Sequence, residues 1–140
     1  MKRNRLLRLD EAKSNHLERL IVEHDYAKLL KIKLEAVFPN ETLRLQAQKA
    51  LSLYGSSSTE PEADRVRLAI LKLSGAALQK IQSTVKGAKE DYQDIIAWAE
   101  EPALMKFSDL NYGRPPNFEE RKKIAEQDVL QYENWLRAGF

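Results

Sequence analysis

A chain of 140 residues and 16.1 kDa is the size of one domain, long enough to bury roughly two thirds of its unfolded surface without staples. Its 43% hydrophobic and 31% charged residues exclude a disordered tail, a collagen-like repeat and a membrane protein. The absence of cysteine excludes a disulfide scaffold, thiol catalysis and thiolate zinc sites, while a net charge of +2 singles out no class of partner.

The start, Met1 to Arg8, carries Lys2, Arg3, Arg5 and Arg8 but lacks the apolar run of a signal peptide, because Arg8, Asp10 and Glu11 interrupt it. No stretch approaches 18 uncharged apolar residues, so no membrane partner is expected, and the expected location is the cytoplasm of a bacterium-like cell. The basic segment 1–9 leads into a helix predicted over about 10–38. One stripe joins Leu17, Leu20, His24, Ala27, Leu30, Leu34 and Val37 at helical spacing. A second face, Val22, Tyr26, Leu29, Ile32 and Ala36, leaves the helix apolar on two sides. Such a helix is either central or awaits another chain, so Val22, Tyr26, Leu29 and Ile32 form the candidate interface for self-association.

Pro39 stops this helix and Asn40 caps the next, predicted over 41–54 with Leu43, Ala47, Ala50, Leu51 and Tyr54 inward and Gly55 closing it. Thr59, Glu60, Pro61 and Glu62 read as the cap and first turn of a third helix over 60–74, which carries Leu68, Leu71 and Leu73 and ends at Ser74-Gly75. Leu78, Ile81, Val85, Ala88, Tyr92, Ile95 and Ala99 alternate steps of three and four. That heptad seam predicts one continuous, central helix over 76–100, ended by Pro102. Residues 101–117, with two further prolines and Gly113, are expected to be irregular. Asn117 then caps a last helix over 118–138, with Phe118, Ala125, Val129, Tyr132 and Leu136 inward and Gly139 ending it. The expected fold is all-α, one compact bundle of about five helices spanning 1–140.

Chemistry is sparse. His16 and His24 stand eight residues apart, about 12 Å along a helix, and cannot share one ion. The five glycines are isolated, so no phosphate loop is present, and no serine has a nucleophile-elbow context. No catalytic residue, metal or cofactor is expected.

Charge is unevenly spread: +4 over residues 1–49, +3 over 50–89 and −5 over 90–140. Arg65, Arg67, Lys72, Lys80, Lys86 and Lys89, with the basic residues of 2–8, are the candidate anion-binding set if the partner is a nucleic acid. No basic recognition helix accompanies them.

The segment from Asp91 to Pro102, Asp-Tyr-Gln-Asp-Ile-Ile-Ala-Trp-Ala-Glu-Glu-Pro, and the later Asp128-Val-Leu-Gln-Tyr-Glu-Asn-Trp-Leu136 resemble a group of small uncharacterised bacterial proteins. Those share an acidic Tyr-containing helix ending in Ala-Glu-x-Pro and a C-terminal Asp-x-x-Gln-Tyr-x-x-Trp-Leu. The resemblance implies a helical domain of unknown function and no activity. Within these motifs Asp91, Tyr92, Asp94, Trp98, Asp128, Tyr132 and Trp135 form a candidate buried polar network fixing the register of packed helices. The functional expectation is a non-enzymatic interaction or structural protein that self-associates, with a nucleic-acid-binding accessory protein as the alternative.

Overall fold

The computed structural model describes residues 25–138, which are helical with no strand among them. Seven helices follow in order: α1 (Tyr26–Val37), α2 (Glu41–Leu51), α3 (Ala63–Ser74), α4 (Leu78–Glu90), α5 (Tyr92–Glu100), α6 (Pro102–Leu110) and α7 (Phe118–Arg137). Among the described residues, no helix is long and apolar enough to cross a membrane.

Helix α1 begins at Tyr26, and the predicted helix over 10–38 is not continuous through Asp25; its part over 10–24 lies outside the described residues. Asp25 sits outside helical geometry (φ −78°, ψ 79°) and its carboxylate accepts the Lys28 N–H, which is an N-cap. Asn40 caps α2 through the Leu43 N–H as expected, and α2 ends at Leu51, three residues early, in turns leading to Tyr54. Gly55 has φ +86°, and a Cβ there would lie 2.6 Å from the Ala63 Cβ. Only glycine allows this close approach of the loop to α3.

Thr59 does not cap α3. The position before it is Glu62 in left-handed backbone, whose side chain makes no capping bond to the helix's backbone amides. The loop is held otherwise: Tyr54 Oη donates to the Pro61 carbonyl at 2.8 Å, and the Glu60 carboxylate accepts from the Gly55 and Ser57 amides. Gly75, left-handed, ends α3 as read from the sequence.

The core forms around α3, which packs on α1, α4 and α5. Val66, Leu68, Ala69 and Ile70 are fully buried there, joined by Leu29, Leu34, Leu51, Ile81, Val85 and Ala88. The predicted central helix over 76–100 is instead two helices meeting at Asp91, whose carboxylate accepts the Asp94 N–H and starts α5. The bend keeps the seam's apolar residues inward, with Ile81, Val85, Ala88 and Ala99 buried.

The 101–117 segment is also more ordered than expected. Pro102 opens α6, since proline at a first helical position sacrifices no hydrogen bond. Asn117 and Glu120 then form a full capping box at the start of α7.

Candidate docking groove

Helix α7 carries an unbroken stripe at three- and four-residue spacing from Arg121 to Leu136 that includes Ile124, Ala125, Asp128, Val129, Tyr132 and Glu133. Tyr26 and Leu29 of α1, Glu100 and Glu101 at the end of α5, Leu104 of α6 and Pro116 face it, leaving a mostly apolar groove of about 600 Å³. Only Asp128 and Leu136 of α7 are buried, while Val129 is 57% and Phe118 82% exposed. The predicted inner stripe of this helix therefore lines a cleft at Ala125, Val129 and Tyr132, and leaves Phe118 outside it.

Polar bonds hold the walls in place. The Asp128 carboxylate accepts the Ala103 N–H at 2.7 Å and the Leu104 N–H at 3.1 Å, an N-cap delivered to α6 from another helix. Gln131 Nε2 donates to the carbonyl of Glu100 at 3.2 Å, at the C-terminus of α5. Lys33, buried in α1, donates to the Trp135 and Ala138 carbonyls and lies 4.6 Å from the Trp135 ring centroid. A cation at the negative end of the α7 dipole is favourable, but burial lowers its pKa from the ordinary 10.5. Arg65 grips Glu100 through two bonds of 2.8 Å and Glu62 through one of 3.1 Å, with its guanidinium over the Tyr26 ring. Glu100 so held raises the Arg65 pKa, chiefly by hydrogen bonding.

Tyr132 is the least satisfied group. Its Oη is buried without a hydrogen-bond partner, and its ring stacks on Trp135 at 6.0 Å. Burial first, then the nearby Glu100 charge, pushes its pKa well above 10.0, and Tyr26 is raised for the same two reasons. The groove thus offers an apolar floor, a protonated hydroxyl, and the acids Glu101 and Glu133 on its lining, beside Glu100, which is paired with Arg65, and Asp128, which is buried against the start of α6.

The residues chosen from sequence divide unevenly among these surroundings. Leu29 is buried in the chain's own core, with Tyr26 and Ile32 half-buried against it, so that face is used within the chain. Val22 lies outside the described residues, as do His16, His24, Gly139 and the basic residues of 2–8.

The polar set does not form one network. Asp91 and Asp94 are exposed and serve only the cap of α5, and Tyr92 and Trp98 are half-buried on α5. Asp128 spends its oxygens on α6 backbone rather than on Tyr132 or an indole.

The basic set is dispersed. Arg65 is bound to Glu100, Arg67 donates to the Tyr54 carbonyl at 2.8 Å, and Lys89 pairs with Glu60 at 3.1 Å. Lys72 is half-buried, with a pKa lowered by burial, while Lys80 and Lys86 are exposed. Among the described residues, no cluster of three or more His, Asp or Glu side chains is placed to hold a metal ion.

Sequence reasoning missed Lys33, Gln131 and Ile124, and took Glu100 for an exposed acid near a helix end, whereas Arg65 holds it at 2.8 Å. Lys33 had left a trace: it stands on the same helical stripe as Leu29, Leu30 and Leu34, and a lysine on a buried stripe needs acceptors.

Fold and site together define an all-helical bundle with a helix-lined apolar groove. Comparison with family models, with curated proteins and with solved structures finds no match to this chain.

Proposed function

We propose that this chain is a non-enzymatic protein-interaction module and that the groove along α7 is its docking site, used for self-association. The α7 stripe supports this reading above all. A run of helical positions from Arg121 to Leu136 faces a cavity of about 600 Å³, which is the form of site that receives an amphipathic helix through anchors at three- and four-residue spacing. Glu101 and Glu133 on its lining select an occupant with basic flanks.

Light scattering across a concentration series tests the reading. The expected mass rises from 16.1 kDa toward twice that value, and Val129→Arg, at an exposed groove position, holds it at the monomer value. A monomer at every concentration, with no response to Val129→Arg, removes the self-association reading.

A further inference from the structure

We propose that two copies of this chain pair through α7 in antiparallel register about Gln127, so that the exposed first half of each helix lies over the groove beside the second half of the other. The inference rests on reading the groove as the site of self-association, and adds which segment enters it, in which direction and at which register.

The pattern of α7 comes first. Phe118, Lys122, Ala125, Val129, Tyr132 and Leu136 follow one another at steps of four and three, a heptad stripe about 27 Å long at 1.5 Å per residue. Reversing the helix about Gln127 exchanges Phe118 with Leu136, Lys122 with Tyr132 and Ala125 with Val129. The stripe is therefore its own complement when two such helices run in opposite directions, which is the condition an interface between identical chains on a two-fold axis must meet.

Burial divides the stripe in a complementary way. Phe118, Lys122, Ala125 and Val129 are exposed, with Phe118 and Lys122 outside the lining of their own groove. Tyr132 and Leu136 instead join the core, and Leu136 with Leu29 forms the buried floor at that end of the groove. In the antiparallel pair each exposed half lies on the floored half of the other copy, where Phe118 and Val129 lose the water that now covers them.

Charge fixes the direction. Lys122 of one copy comes level with Tyr132 of the other, on the side where Glu133 projects from that helix, and so meets an opposite charge. A parallel pair would instead set Lys122 at the level of Lys122 and Glu133 at the level of Glu133, and like charges in register select against that arrangement.

The chain holds no cysteine, so single cysteines report the register directly, at exposed positions that the fold tolerates. Chains carrying Ala125→Cys are mixed with tagged chains carrying Val129→Cys and oxidised, the tag separating mixed from like pairs by mass. In like pairs the two sulfurs stand a helical turn, about 6 Å, out of level. The mixed bridge is therefore expected to form about tenfold faster than either like bridge. Faster like bridges, as parallel pairing produces, or equal rates overturn the proposal. A charge exchange gives a second readout without cysteine: Lys122→Glu or Glu133→Lys alone should weaken the dimer about fivefold through two symmetry-related ion pairs, and both substitutions in one chain should restore it. No weakening, or no restoration in the double variant, overturns the register. If these fail while light scattering still shows a dimer that Val129→Arg dissociates, the groove reading stands and only the pairing is wrong. A monomer at every concentration overturns both and leaves the groove to a partner of other chemistry.

Discussion

Two halves of this molecule are held together by different forces. Around α3 the helices interlock through fully buried Val66, Leu68, Ala69, Ile70 and Ile81. On the opposite side α6 buries no residue, and α7 buries only Asp128 and Leu136 over its whole length. There the helices hang on directed bonds: Asp128 to the start of α6, Gln131 to the end of α5, Lys33 to the end of α7. Packing is non-directional and tolerates only a dry interior, whereas end-to-end polar ties fix helix positions while leaving space between them. The groove exists because α7 is held by ties at Asp128, Gln131 and its C-terminus, and its face reaches the core only near Tyr132, Trp135 and Leu136.

The comparison sharpens into graded outcomes. Ile70→Ala empties part of the dry half and should cost about 3 kcal/mol of global stability in denaturant titration, lowering hydrogen-exchange protection throughout α3, α4 and α5. Asp128→Ala leaves the Ala103 and Leu104 amides unpaired and should cost about 2 kcal/mol. Its loss of protection should be concentrated in α6, and Asp128→Asn, which keeps one acceptor, should lose less. Equal deprotection of α3 in Asp128→Ala would show that the two halves are not separable.

Lys33→Met removes the tie at the α7 C-terminus at a cost of about 1 kcal/mol, read as fraying of the last turn of that helix. Opposite pH trends separate Lys33 from Tyr132. A lowered Lys33 pKa means the unfolded chain holds a proton the folded one has released, so its contribution to stability rises with pH between the lowered value and 10.5. A raised Tyr132 pKa means the unfolded phenol ionises first, so stability present below pH 10.0 is lost above it. Stability measured against pH in Tyr132→Phe should lack that alkaline loss, and in Lys33→Met the alkaline gain. Tyr112→Ser, at a fully exposed loop residue, should stay within about 0.5 kcal/mol of the parent.

What could be read from the sequence follows the same division. Periodicity reports burial, so Ala47, Leu51, Leu68, Leu71, Ile81, Val85 and Ala88 were legible as core. Caps built by near neighbours, such as Asn40 and Asn117, were legible too. A seam with constant spacing cannot reveal a break that preserves its phase, and the helix end at Asp91 is of that kind. The signal lay in Asp91-Tyr-Gln-Asp94, an acid placed three residues before another at the start of an apolar run. Pro102 marks a start as readily as a stop, and only the carboxylate of Asp128, 25 residues away, settles α6. The groove was hidden because its stripe looks like any inner face: Val129 and Leu136 share one periodicity, and contact with other helices alone separates the exposed one from the buried one.

Lys33 carries a consequence for how the chain is made. Its acceptor carbonyls lie 102 and 105 residues downstream. During synthesis, α1 to α5 have left the ribosome and can assemble around α3 while this ammonium is still without its α7 acceptors, and the N-terminal part of a chain folds first as it emerges. Lys33 thus gains these two acceptors only when the last helix is in place, so the tie between α1 and α7 is made by the two ends of the chain's described order and closes after the α3 core can form.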